Sequence, residues 1–172
     1  MSVLSRIFGE KRQREALLPL YRAIVAAGRD PAWYREGRVP DTLDGRFDTI
    51  AAILSLVLLR LEREGEAARR ESVLLTEIFV EDMDGTLRQI GIGDMLVGKH
   101  VGRIMGALGG RLGAFRAAFA GERSLEEAVR RNVFRDAPPD EGAVTAVSSR
   151  LRALHGRLEA AELESLLRGD LP

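Results

Sequence analysis

The stretch IAAILSLVLL, from Ile50 to Leu59, constrains this chain most. It runs ten residues with no charge, about half the roughly 20 apolar residues that span a bilayer. The apolar character extends from Phe47 to Leu61 on nearly every side, which predicts a helix buried all round. Asp44 and Asp48 precede the ten-residue run and Arg60 and Arg63 follow it, the order a helix dipole favours. A helix wrapped on all sides needs amphipathic neighbours, and the remaining sequence supplies them.

Leu17, Leu20, Tyr21, Ile24 and Val25 lie at helical spacing, with Pro19 placed to begin a turn or kink and the helix expected from about Pro19. GRDPAWYREGRVPDTLDG then gathers glycines and prolines into a long connection, with room for a short turn around Trp33 and Tyr34. Leu75, Phe79, Met83, Leu87 and Ile90 form one stripe of a helix over 66–90. Val97, Val101, Ile104, Leu108, Leu112, Phe115 and Phe119 form the next, after a GIG stop and an Asp94 cap. The capping box SLEE at 124–127 opens a helix through Phe134, and PPDEG at 138–142 opens another bearing Val144, Val147, Leu151, Leu154 and Leu158. A short last turn is expected over 163–167. No alternating run long enough for a strand and no internal repeat occurs. The expected fold is all-α: a compact single-domain helical bundle of about six to seven helices over 19–172, preceded by a basic arm over 1–18.

Charge narrows the function classes. Lys plus Arg and Asp plus Glu both number 26, so no bulk positive field exists to capture nucleic acid, and none is expected as a partner. Lysine occurs only at Lys11 and Lys99, leaving guanidinium as nearly all the positive charge. The absence of cysteine removes disulfides, thiolate metal sites and cysteine nucleophiles. MSVLSRIFGEKRQR lacks the apolar h-region of a signal peptide, so the expected location is the cytoplasm. Arg6, Lys11, Arg12 and Arg14 against Glu10 leave a peripheral contact with anionic lipid at the inner membrane open to the arm.

Two enzyme motifs overlap in EDMDGTLRQIGIGDMLVGKH, residues 81–100. Asp82-Met-Asp84-Gly-Thr matches the DxDGT nucleophile motif of magnesium-dependent haloacid dehalogenase phosphatases, whose carboxylates must project together from a strand end. On a helix, residues i and i+2 diverge by about 200°. No α/β pattern follows to supply the distal lysine and second acidic pair. The bland alternative pairs Asp84 with Arg88 across one helical turn and sets Asp82 at the edge of the buried stripe. Gly93 to Lys99 reads GxxxxGK, but His100 replaces the magnesium-binding Ser or Thr and no strand precedes it.

His100 and His155 have no carboxylates at metal-ligand spacing, and no GxSxG elbow is present, so no metal, cofactor or catalytic residue is expected. Trp33 and Tyr34 fit loop anchors better than a stacking site. Gly102, Gly106, Gly109, Gly110 and Gly113 fall inside a predicted helix, each at a cost of about 1 kcal/mol relative to Ala. Two readings fit them: a smooth strip for a closely approaching helix of this chain or a partner, or a break at Gly109-Gly110. Lys99, Arg103, Arg111 and Arg116, beside that strip, read by default as solvated surface, with an acidic partner or anionic lipid headgroups as the alternative.

Three blocks carry a family resemblance: VPDTLDGRF (39–47) with the apolar helix ending LLRLERE, then IFVEDMDGTLRQIGIGDMLVGKHV (78–101), then LEEAVRRNVFR (125–135). In this order they resemble the ubiquinol-cytochrome c chaperone family, most strongly over 20–135, while the last 35 or so residues match no block. The resemblance implies an all-helical, non-enzymatic assembly factor that binds newly made cytochrome b and helps build respiratory complex III. It implies a small partner protein and a ribosome contact for eukaryotic members, and neither for a short, Arg-rich chain of bacterial appearance. AAILSL stands where many members carry a histidine, so no role transfers there. LGGRLGAF is richer in glycine than the family's version. Asp82, Arg88, Asp94, Lys99 and Arg103 are the expected partner-binding residues, because the matching blocks gather them at one helix-turn-helix corner. The rival readings are a helical adaptor at the membrane surface and a divergent phosphatase.

Overall fold

A computed structural model describes residues 3–89, 97–135 and 140–172, with side chains over 9, 11–86, 101–135 and 140–172. Every regular element among them is helical: α1 (Val3–Gly28), α2 (Ala32–Arg35), α3 (Leu43–Glu62), α4 (Arg69–Gln89), α5 (Val97–Phe119), α6 (Leu125–Asn132), α7 (Glu141–Ala160) and α8 (Leu163–Arg168). A 3-10 turn over Gly65–Ala67 joins α3 to α4. The all-α bundle expected from periodicity is the fold.

α3 is the axis. Ile50 to Leu58 is buried without interruption, and α1, α4, α5 and α7 pack around it. Full burial of each large aliphatic side chain contributes about 1.5–3 kcal/mol, so the ten-residue apolar run is the largest single source of cohesion. Its one hydroxyl is satisfied inside the helix, Ser55 Oγ donating to the Ala51 carbonyl at 2.7 Å. Thr42 caps the start, its Oγ1 accepting from Gly45 N at 3.1 Å. Near the other end Arg60, only 7% exposed, donates from Nε to the Leu158 carbonyl at 3.0 Å and from Nη2 to the Ala161 carbonyl at 2.9 Å. Leu158 lies in the last turn of α7, where its carbonyl also accepts from Ala161 N at 3.2 Å, and Ala161 is the residue just past the helix, so Arg60 holds the α7 end in place.

The expected caps of α6 and α7 are both made. Ser124 Oγ accepts from Glu127 N at 3.2 Å, and Asp140 Oδ1 from Ala143 N at 2.7 Å. The connection around Trp33 is fastened as the loop-anchor reading requires: Trp33 Nε1 donates to the Ala27 carbonyl at 2.8 Å and the Tyr34 hydroxyl to the Gly28 carbonyl at 2.7 Å.

Three expectations change. The first helix does not begin at Pro19; α1 starts at Val3 and carries Pro19 inside it, so the helix runs unbroken across the 18/19 boundary. Proline forfeits one i to i−4 bond, at about 3 kcal/mol. Buried Leu17, Leu20 and Tyr21 on both sides of it, with the Arg14–Glu81 ion pair to α4, hold the helix together across the gap. Secondly, α5 is continuous through Gly109-Gly110, which removes the break. Nothing lies within 4 Å of a Cβ built at Gly102, Gly106, Gly109, Gly110 or Gly113, so no described part of this chain packs on the strip. Thirdly, Arg111 is no surface charge. It is 4% exposed and pairs with Asp48 of α3 inside the bundle.

Candidate functional site

The most distinctive chemistry lies where the first turns of α3, the end of α4 and the start of α5 meet. Asp48 is 2% exposed and accepts from two guanidiniums, Arg111 of α5 and Arg135 just beyond α6. Phe47 beside it receives both cations on its ring, at 5.5 Å for Arg111 and 5.7 Å for Arg135, and meets the Phe79 ring at 5.7 Å. Burial pushes the Asp48 carboxyl up, and the two guanidiniums draw it back down. Burial likewise lowers Arg111, opposed by Asp48. This network locks α3, α5 and the segment after α6 into one arrangement.

Against that lock opens a chamber of about 440 Å³, within the range of small-molecule pockets. Its floor is apolar, formed by Phe47, Ile50, Met83, Ile104 and Ala107, with Leu43 46% exposed in its wall. Arg29, Arg46, Arg103 and Arg135 also line it, with Asp44 the single acid among the described residues. The result is a greasy cavity under a cationic rim.

The five residues expected from sequence do not all meet here. Arg103 lines the chamber. Asp82 lies on the neighbouring groove between α1 and α4, where its carboxylate accepts the Tyr21 hydroxyl at 2.6 Å. Burial and this donation to a carboxylate push the Tyr21 phenol up. Arg29 borders both the groove and the chamber. Arg88 and Lys99 sit on the backbones of α4 and α5, with their side chains outside the described residues, and Asp94 lies outside them altogether. The expected Asp84–Arg88 pair falls there too.

Asp82 and Asp84 leave one helix two residues apart, so their carboxylates diverge by about 200° and Asp82 is held toward α1. That is not the convergent pair a phosphoaspartate mechanism needs. No group of three or more His, Asp or Glu side chains among the described residues is placed to hold a metal. Nor is any helix among them long and apolar enough to cross a membrane.

Sequence reasoning missed Arg29, Phe47, Asp48 and Arg135. A signal existed for Asp48: it interrupts the polar-to-apolar boundary of α3 one residue after an aromatic. Arg135 closes the third resemblance block, VFR, where its position was the clue.

The profile of the ubiquinol-cytochrome C chaperone family matches residues 35–171. The chain belongs to this family. The match runs through α7 and α8, so it takes in the C-terminal segment that matches none of the three resemblance blocks. A solved structure described as that of the Cbp3 homolog from Brucella abortus is similar over 99% of this chain and 95% of its own, at 28% identity and a TM-score of 0.81. No protein with a curated functional description matches the sequence. Membership carries a role as an assembly chaperone for ubiquinol-cytochrome c reductase, respiratory complex III. The chaperone's cationic chamber and its Tyr21–Asp82 tie draw on neighbouring residues of α4, Met83 and Thr86 lining the first and Asp82 making the second.

Proposed function

We propose that this chaperone holds newly made cytochrome b, without catalysis, until it enters the reductase complex. The family match over residues 35–171 carries the reading. The client-contacting surface is the α4–α5 corner with Asp82, Arg88, Asp94, Lys99 and Arg103. An apolar chamber beside exposed arginines supports this choice, because an unassembled membrane subunit presents both apolar surface and backbone or side-chain acceptors. Arg103 and Asp82 are the members whose surroundings are described, and they sit on different walls. Arg103→Ala therefore removes a client contact, whereas Asp82→Ala also frees Tyr21.

The test is the dithionite-reduced absorbance spectrum of membranes from the native organism with and without the gene. The expected result is a selective loss of the cytochrome b signal, restored by the wild-type gene and only partly by the Arg103→Ala gene. An unchanged b signal with normal reductase activity overturns the reading. Magnesium-dependent phosphate-ester hydrolysis by the purified protein, abolished by Asp82→Asn, would replace it with the phosphatase.

A further inference from the structure

The chamber between α3, α4 and α5 selects its occupant by hydrogen-bond polarity. Among the described residues its polar side chains are four arginines, which only donate, with Asp44 and Thr86 as the side-chain acceptors. Along the α4 and α5 walls the backbone spends its own groups on its ladders, and the first turn of α3 adds N–H donors rather than acceptors. A peptide brings N–H donors and carbonyl acceptors in nearly equal number, so its donors would go unmet in such a cavity. An uncharged hydrocarbon would satisfy the floor and leave the cations bare. The matching ligand has acceptors alone at one end and hydrocarbon at the other.

We propose that this chamber binds one chain of an anionic amphiphile, its hydrocarbon on Phe47, Ile50, Met83 and Ile104 and its carboxylate or phosphate on Arg29 and Arg103. Those two arginines receive the head because the other two are engaged, Arg46 with Asp41 and Arg135 with Asp48. Among the described residues neither Arg29 nor Arg103 has an ion-pair partner. Guanidinium suits either head, since its planar fork meets two oxygens at once. Leu43, 46% exposed, lies where a longer chain would leave the cavity. This goes beyond the client reading and does not depend on it: the chaperone would carry a lipid-type ligand of its own.

Isothermal titration calorimetry on the full chain tests it, using dodecanoate, dodecyl phosphate and dodecyltrimethylammonium below their micelle-forming concentrations. Each anion is expected to fill one saturable site, with the cation at least about tenfold weaker. Arg29→Ala and Arg103→Ala should each weaken the anions about tenfold, the loss of one charge-assisted contact. Arg116→Ala, which breaks an exposed pair with Glu62 elsewhere on α5, should bind as the wild type does. Arg29 and Arg103 are both exposed, so their variants fold, which far-UV circular dichroism checks. Tighter dodecanoate points to free fatty acids as the source and tighter dodecyl phosphate to phospholipid, and both support the site. Equal binding of the cation, or unchanged binding by both arginine variants, overturns it. So does displacement of the anions by an uncharged apolar peptide at lower concentration. Loss of cytochrome b in the gene-deletion membranes is read separately, so either conclusion can fail alone.

Discussion

Asp48 and Arg111 show how a single buried charge depends on its partner. Both are nearly excluded from solvent, and the Arg111 Nε has no acceptor among the described residues, so the guanidinium rests on Asp48 and the Ala107 carbonyl. Asp48→Leu leaves that cation buried without its counter-charge and should cost about 3–5 kcal/mol in urea denaturation. Adding Arg111→Met should recover most of the loss, because an apolar pair replaces an ionic one of similar volume. A double variant as unstable as the single one would place the role of Asp48 in Arg135 instead. His155 offers a milder test. Its ring stacks on Phe119 at 3.8 Å and 4°, and burial lowers its basicity, with Glu159 opposing and Arg63 reinforcing the shift. The folded state thus binds the proton less readily than the unfolded one. Stability from this residue is complete above the ordinary histidine value near 6.5 and falls as pH drops through the lower folded value. His155→Phe keeps the stack and should flatten the loss of stability as pH falls below the ordinary histidine value.

Glycine has opposite meanings on two of the helices. A Cβ at Gly28, the end of α1, would lie 2.6 Å from Ile50 Cγ1 and 3.0 Å from Ile50 Cα, so Gly28→Ala forces α1 and α3 apart and should cost about 1–3 kcal/mol. At Gly106 of α5 a Cβ meets nothing within 4 Å, and Gly106→Ala should stabilise the isolated protein by about 1 kcal/mol, raising Tm by about 2–4 °C. A thermal melt of the two variants should therefore move in opposite directions; a fall in both would mean that the α5 strip is packed in solution. Sequence alone shows both glycines and cannot distinguish them, because the difference lies in what another helix brings near. The same limit explains the other misreadings. The α3 run and the stripes of α4, α5 and α7 were legible, since helical periodicity is local. Arg111 reads as surface because its neighbours in sequence are glycines and alanines, and only the approach of α3 reveals Asp48. Pro19 reads as a helix start because its usual cost dominates, until Leu17 and Leu20 are seen buried against the core. Arg103 lies just past the second resemblance block and is expected to bind a partner for that reason, whereas Arg29 is far from every block and enters the chamber only through the fold.

At the scale of the molecule, the chain ends by closing on its beginning. α8 packs on α1, with Leu166 fully buried and Leu163, Leu167 and Leu171 partly buried on the same core. Gly169 takes φ +102 there, and its bare Cα comes close enough to Pro19 that a Cβ would lie 2.9 Å from the Pro19 backbone. The proline that interrupts the α1 ladder is thus covered by the left-handed turn that ends α8, which joins the two termini into one cooperative unit. Removing residues 162–172 strips this cover. Loss of Leu166 alone should cost about 2–5 kcal/mol, which for a chain of this size lowers Tm on the order of 10 °C. The Arg60 contacts to Leu158 and Ala161 lie before the cut and keep the end of α7 in place. The truncated protein should therefore melt earlier while keeping its helical far-UV spectrum at low temperature. A Tm within about 2 °C of the full chain would show that α8 docks too weakly to belong to the folding unit, and that α1 bridges Pro19 by its own contacts with α3 and α4.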